Sequence, residues 1–361
     1  MSLTVMQIAG NRGLGGMETH VVSLSRALKA RGFNVPVVCK EKGWIASELA
    51  AEFDLYTLPF RRRLDFSTSA RLARLLEAVR PDVVHAHGPV AYRCVARAVR
   101  SRAPFVLSVH GLSGWRGTAL DADVIVACSE STRDGIRKRV RDESRLTVIR
   151  CAIDCSRFAD YRDAAPTFRE EFGLGDRPVV TCVRRLVPAK GQHILLEAAK
   201  LVAAEVPEAR FVIVGGRSAG YERRLRRMRA RLGLQDAVVF TGQRRDIPRI
   251  LAGTDILVQP SIEEPLGLSA IEGMAFGLPV IASRVGGIPE VVTDGVTGLL
   301  VPPGNADELA DALLRLISDR ELRLRMGESG RERALSEFNL DAMVDRLVSV
   351  YEEVLAAHSA P

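Results

Sequence analysis

No Cys-x-x-Cys pair occurs among the six cysteines of this 361-residue chain. Cys39, Cys94, Cys128, Cys151, Cys155 and Cys182 stand apart, several inside apolar strand-like runs where a free thiol packs as a small hydrophobe. A disulfide framework is not expected in so long a chain. A membrane-spanning run is lacking too: the longest apolar stretch, about 266–283, contains Glu272 and Pro279. The chain opens on a strand-like segment and a glycine loop instead of a secretory signal. There is no tandem repeat, and the basic tracts lack the interleaved aromatics of a nucleic-acid surface. These absences predict a cytoplasmic protein without a nucleic-acid partner, able at most to rest on the inner face of a membrane.

Lysine is scarce, with 6 residues against 45 Arg. The formal net charge of +7 is uneven: residues 1–160 carry 25 Lys and Arg against 16 Asp and Glu, residues 161–361 carry 26 against 28. An anionic surface or partner would explain the asymmetry, and so would an arginine-rich composition with a solvated face. Arg61-Arg62-Arg63 and the 133–141 segment are the candidate membrane or acceptor tracts. The six Arg of 223–231 alternate with Leu225, Met228 and Leu232, the pattern of an amphipathic surface helix.

What is present is a balanced globular composition, 47% hydrophobic and 26% charged, long enough for about two domains. β-branched runs alternate with helix-period segments. Strands are predicted near 4–9, 34–40, 55–59, 82–88, 105–110, 122–128 and 146–153, with helices such as 17–31 and 66–80. The pattern fades at 154–177. It resumes with strands near 178–185, 210–215, 237–241, 256–260 and 279–283, and the stretch 305–357 reads as helical. Such alternation means βαβ units and parallel sheets. The expected fold is α/β, two Rossmann-like domains facing across a cleft. The first spans 1–160 and the second 161–340, with a C-terminal helix at about 340–361 that could pack back onto the first. Ligands in such sheets bind beyond the carboxyl ends of the strands.

Three segments there carry chemistry. The first, Ser261 to Glu272, follows a strand and opens a helix. Pro265, Leu266, Gly267 and Leu268 form the turn, whose free amides and helix dipole favour a diphosphate. Glu272 lies one turn inside an apolar helix, where a lone carboxylate needs partners such as two ribose hydroxyls. Glu264 sits at the mouth, within reach of sugar hydroxyls. Surface exposure of Glu264 and a backbone or Arg partner for Glu272 would be the plainer explanation for either residue alone. The second segment is Arg184-Arg185-Leu186-Val187-Pro188-Ala189-Lys190-Gly191, in which Arg185 ends a strand and Lys190 begins a helix. Two cations there suit a leaving diphosphate as it gains charge. The third is Gly13-Leu14-Gly15-Gly16-Met17-Glu18, a glycine loop that a ligand can approach closely. A dinucleotide fingerprint would need glycine where Glu18 stands.

These motifs resemble the family 4 retaining glycosyltransferases. Glu264 and Glu272 match that family's E-x7-E motif in the form E-P-L-G-L-x-x-x-E-G-M. The run from Pro279 to Gly304 resembles the family equally, and the likeness extends over nearly the whole chain. It implies a GT-B fold and transfer of a hexose-type sugar, with retention, from a UDP-, GDP- or ADP-sugar to a glycan, lipid-linked or small-molecule acceptor. Cell-envelope or exopolysaccharide synthesis is the setting it suggests, with no cofactor and no metal. By resemblance Arg185 and Lys190 meet the phosphates, Gly15 and Gly16 lie against phosphates and sugar, and His110, at a strand end, touches the transferred sugar. Gly242, Gln243 and Arg244 are the candidate base-binding residues. Two departures stand out: Arg184 replaces the usual glycine, and Arg150-Cys151-Ala152-Ile153-Asp154 replaces P-N-G-I-D. His85 and His87 share one strand face and read as structural, and Asp121-Ala122-Asp123 reads as a turn. Competing expectations are a sugar-nucleotide epimerase or nicotinamide-dependent oxidoreductase on twin Rossmann domains, and a non-catalytic sugar-nucleotide binder.

Overall fold

The computed structural model describes residues 2–61, 65–99, 103–216 and 219–359. Arg62 and Arg63 lie outside the described residues. The chain divides into two units, one of Met1–Ile153 with Leu340–Pro361, the other of Asp154–Asn339.

In the first unit seven parallel strands are described: β1 (Val5–Ala9), β2 (Val37–Lys40), β3 (Leu55–Leu58), β4 (Val83–His87), β5 (Phe105–Val109), β6 (Val124–Ala127) and β7 (Leu146–Val148). Their order is β3-β2-β1-β4-β5-β6-β7. The strand expected at 34–40 starts only at Val37, because Pro36 has no N–H to give to the ladder. Both faces are covered, so β1, β4 and β5 are buried along their whole length, as a doubly wound parallel sheet requires. The C-terminal helix Leu340–Ser359 presents Met343, Val344, Leu347, Val350, Tyr351 and Val354 to the core that holds Val5, Val21 and Leu24. These apolar residues recur at three- and four-residue spacing, which places them on one helical face.

The second unit repeats the plan with β8 (Val179–Val183), β9 (Arg210–Val214), β10 (Val238–Gly242), β11 (Ile256–Gln259), β12 (Val280–Ser283) and β13 (Gly298–Val301), all parallel, in the order β10-β9-β8-β11-β12-β13. β13 has no counterpart in the sequence expectation; it is a four-residue run bounded by Thr297 and Pro302, and it pairs with β12 from Val280 to Ser283. Residues 155–175, where the sequence pattern fades, fall in this unit. They form a 3-10 run, Cys155–Ala164, and a helix, Ala165–Glu171, and bury Phe168 and Leu174.

Each sheet order reverses once, between β1 and β4 and between β8 and β11. Loops leaving adjacent strands there run in opposite directions and open a crevice at the carboxyl ends. The candidate residues Gly15, Gly16 and His110 follow β1 and β5; Arg185, Lys190, Glu264 and the 265–268 turn follow β8 and β11.

Candidate active site

At the β8/β11 reversal two loops are locked together by glycine. Gly191 has φ +70°, and a Cβ there would lie 1.7 Å from the Pro260 carbonyl oxygen. Gly286, φ +56°, would likewise meet the Glu264 carbonyl oxygen at 1.8 Å, while the Gly287 N–H donates to that oxygen at 3.1 Å. Backbones this close admit no side chain. The Gly286-Gly287 pair of the family-like run therefore acts on the site directly, by backing the loop that carries Glu264.

Glu264 is held between cations. Its side chain is 8% exposed. Lys190 Nζ donates to its Oε2 at 3.1 Å and to the Glu263 carbonyl at 2.9 Å. Arg184 forms an ion pair with the same carboxylate and also reaches Ser269 Oγ at 3.3 Å and Ser261 Oγ at 3.4 Å. The Ser269 hydroxyl in turn donates to the Val183 carbonyl at 2.7 Å. Burial lowers the Lys190 ammonium to about 7, helped by the guanidiniums of Arg184 and Arg185 and opposed by Glu263. Arg185 is exposed; its carbonyl accepts from Gln192 Nε2 at 2.9 Å, which fixes the loop at the start of the helix Gln192–Glu205.

The turn 265–268 leads into the helix Leu268–Phe276. Leu266 and Gly267 are buried, and Gly267 caps the helix with φ +115°. The amides of Leu268 and Ser269 have no intrahelical acceptor, so the positive helix end faces the crevice. One turn in, the Glu272 carboxylate accepts no hydrogen bond from the described residues. Burial raises it to about 7, against the opposing pull of Arg157 and Arg184. A carboxylate with few partners thus lies one turn behind the helix tip.

Arg184, which stands where the family-like pattern has glycine, turns inward onto Glu264. Adjacent strand residues point to opposite faces, so only one of Arg184 and Arg185 can turn inward at the end of β8, and nothing local tells which. Gly242 ends β10, the sheet edge, with φ +73°. Gln243 follows, and Arg244 is clasped by Glu171 at 2.5 Å and Asp246 at 2.7 Å, with its guanidinium 5.7 Å from the centre of the Phe172 ring. These contacts place Arg244 in a structural cluster two strands away from β8.

In the first unit Gly15 caps the helix Gly16–Ala30 in an extended conformation, and buried Glu18 accepts from Asn11 Nδ2 at 2.9 Å. Behind this loop lies a chain of imidazoles. His87 Nε2 meets the side-chain oxygen Oε1 of Gln7 at 2.7 Å, so that nitrogen is the donor. His87 Nδ1 then accepts from His110 Nε2 at 3.1 Å, leaving His110 Nδ1 as a lone pair 3.5 Å from Cys151 Sγ. Burial keeps His20 (lowered to about 4), His85 (about 3), His87 and His110 neutral. His85 bonds Tyr351 and Ser108 at 2.7 and 2.8 Å, in line with a structural role. Asp121 and Asp123 are structural as well: Asp121 pairs with Arg141 and Asp123 accepts from the Phe105 amide. In the 133–141 tract Arg133, Arg137 and Arg141 all pair with nearby carboxylates.

Residues 14–157 match the family Glycosyltransferase Family 4, and residues 165–333 match Glycosyl transferases group 1. The GDP-mannose-dependent alpha-(1-6)-phosphatidylinositol monomannoside mannosyltransferase of Mycolicibacterium smegmatis is 36% identical over 70% of this chain and 69% of its own. The D-inositol 3-phosphate glycosyltransferase of Corynebacterium glutamicum is 28% identical over 99% and 96%. Among solved structures, Anabaena Alr3699/HepE in complex with UDP-glucose superposes with a TM-score of 0.88 at 22% identity, over 97% of this chain and 100% of that one. That likeness establishes the GT-B fold. Neither the epimerase or nicotinamide reading nor the non-catalytic one gains support from these relatives. The chain belongs to the family 4 glycosyltransferases.

Proposed function

We propose that the protein transfers a hexose-type sugar, with retention at the anomeric carbon, from a nucleoside diphosphate sugar held on the second unit. Lys190, Arg185 and the amides of the Leu268 helix tip face the diphosphate, and Glu272 takes the ribose hydroxyls. The bond from the anomeric carbon to the β-phosphate oxygen breaks, and the acceptor oxygen bonds to the same face of that carbon. The acceptor proton passes to the leaving phosphate. Charge grows on the leaving group, so cations and a helix end already in place stabilise the transition state more than the ground state. No metal is needed for this step, since Lys190 and Arg185 supply the positive charge.

The carrying observation is Glu272: a carboxylate raised to about 7 by burial, one turn behind a helix tip, with hydrogen-bonding capacity unspent. A ribose diol would satisfy it. A sugar-nucleotide donor is in keeping with the relatives: one is a GDP-mannose-dependent mannosyltransferase, and a structural neighbour holds UDP-glucose. The acceptor is a glycan or lipid-linked molecule bound by the first unit, and its basic surface suits an anionic one or an anionic membrane on the cytoplasmic side. Envelope or exopolysaccharide synthesis is the proposed setting.

Purified protein incubated with a panel of UDP-, GDP- and ADP-sugars should consume at least one. Proton NMR of the first-formed sugar product should show the anomeric configuration of the donor. Inversion, or no turnover with any donor, would overturn the proposal.

A further inference from the structure

His20 is the anomaly of the first unit. It is 5% exposed, and neither ring nitrogen has a hydrogen-bond partner among the described residues. A buried imidazole with both nitrogens idle leaves hydrogen-bonding capacity that a ligand could use. Its ring centre is 4.8 Å from that of His110. Nitrogen atoms of His20 and His110 and the sulfur of Cys151 all lie within 4.8 Å of one another. A cavity of about 10 Å³, lined by His20, His110, Cys128 and Cys151 among others, adjoins them; that is room for one water-sized occupant.

We propose that His20, His110 and Cys151 form a binding site for a single borderline-soft transition-metal ion of the Zn²⁺ type. The relay from Gln7 through His87 already points the His110 Nδ1 lone pair at Cys151, and it holds the opposite nitrogen as a donor to His87. Metal-bound histidines are commonly fixed in this way by a bond from their other ring nitrogen. Two imidazoles and a thiolate match the ligand preference of zinc, with bonds of about 2.0–2.3 Å. Ligand atoms around such an ion stand roughly 3.5 Å apart, so closure takes about 1 Å of side-chain movement. Cys151 Sγ would release its proton to solvent on binding. Water would complete the four-coordinate shell. Cys151 stands where the family-like pattern has Asn, so this chemistry belongs to this chain and is not inherited from the motif.

Occupancy would take the lone pair of His110 and tie down the helix Gly16–Ala30 through His20. The ion would therefore inhibit transfer without taking part in it. The test uses metal-stripped, full-length protein kept reduced with a phosphine, titrated with Co²⁺. One equivalent should bind and give a sulfur-to-cobalt charge-transfer band in the near ultraviolet, and Zn²⁺ should displace it. C151S should abolish the band, and H20N should weaken binding at least tenfold; the second variant serves if the first fails to fold. Zn²⁺ should inhibit the parent reversibly, with chelator restoring activity, and should leave C151S active. Absence of the band in the parent, or an unchanged band in C151S, would overturn the proposal. The cobalt measurement needs no sugar donor, so its failure is distinguishable from failure of the transferase reading.

Discussion

Glu264 and Glu272 are two carboxylates of one motif in unlike surroundings. Glu264 is neutralised by Arg184 and Lys190, whereas burial pushes Glu272 to about 7. Hydroxyl donors favour the ionised carboxylate, and the diphosphate needs a protonated lysine. The pH profile of kcat/KM should therefore be a bell near neutrality, rising as Glu272 ionises and falling as Lys190 loses its proton. E272Q should lose the acid limb, and K190R should carry the alkaline limb upward while keeping activity. Initial rates from pH 5.5 to 9.5, at donor concentrations well below KM, check this; unchanged limbs in both variants would refute the assignments. Arg184 offers a stability prediction. Removing one member of a buried pair costs about 3–5 kcal/mol when the other is left alone. Lys190 still bonds Glu264, so R184M should lose less than that range, read by urea unfolding.

At the scale of elements, the site is built by close backbone approach between the β8 and β11 loops. G191A forces a Cβ against the Pro260 carbonyl at positive φ, whereas Gly233, with φ +71°, faces open space. G233A should cost about 1 kcal/mol, and G191A distinctly more, with at least a tenfold loss of donor affinity. Equal melting temperatures for the two variants would contradict the locking role. Gly191 and the Gly286-Gly287 pair were visible in the sequence only as parts of family-like segments; the partner backbone each one approaches lies about 70 and 20 residues away and is set by the sheet order. The helix tip and the strand-end cations could be read directly, because βα alternation dictates where strands end. The inward choice of Arg184 could not, since strand alternation gives the same pattern for either arginine. The imidazole relay was half legible: His85 and His87 share a face by period two, but Gln7 and His110 join them only through strand pairing.

For the whole molecule, the net charge falls on one structural unit. The first unit, with its returning C-terminal helix, holds 25 Lys and Arg against 18 Asp and Glu, whereas the second holds 26 against 26. The entire net charge of +7 thus lies on the proposed acceptor-binding unit. Flotation with vesicles rich in phosphatidylglycerol should recover the protein at low salt and lose it as salt screens the attraction, while phosphatidylcholine vesicles should not recover it. Binding indifferent to lipid charge would argue against a membrane role for this surface. The two-domain α/β plan was legible because buried parallel strands read as β-branched runs; β13, Gly-Leu-Leu-Val, has one β-branched residue and did not stand out from its turn-rich flanks.

The most direct measurement of the central claim is titration calorimetry with UDP, GDP, ADP and inorganic pyrophosphate against the parent, K190A and E272A. The account predicts that at least one nucleotide binds, that K190A weakens nucleotide and pyrophosphate alike by tenfold or more, and that E272A weakens only the nucleotide. Parent-like nucleotide affinity in both variants would contradict it.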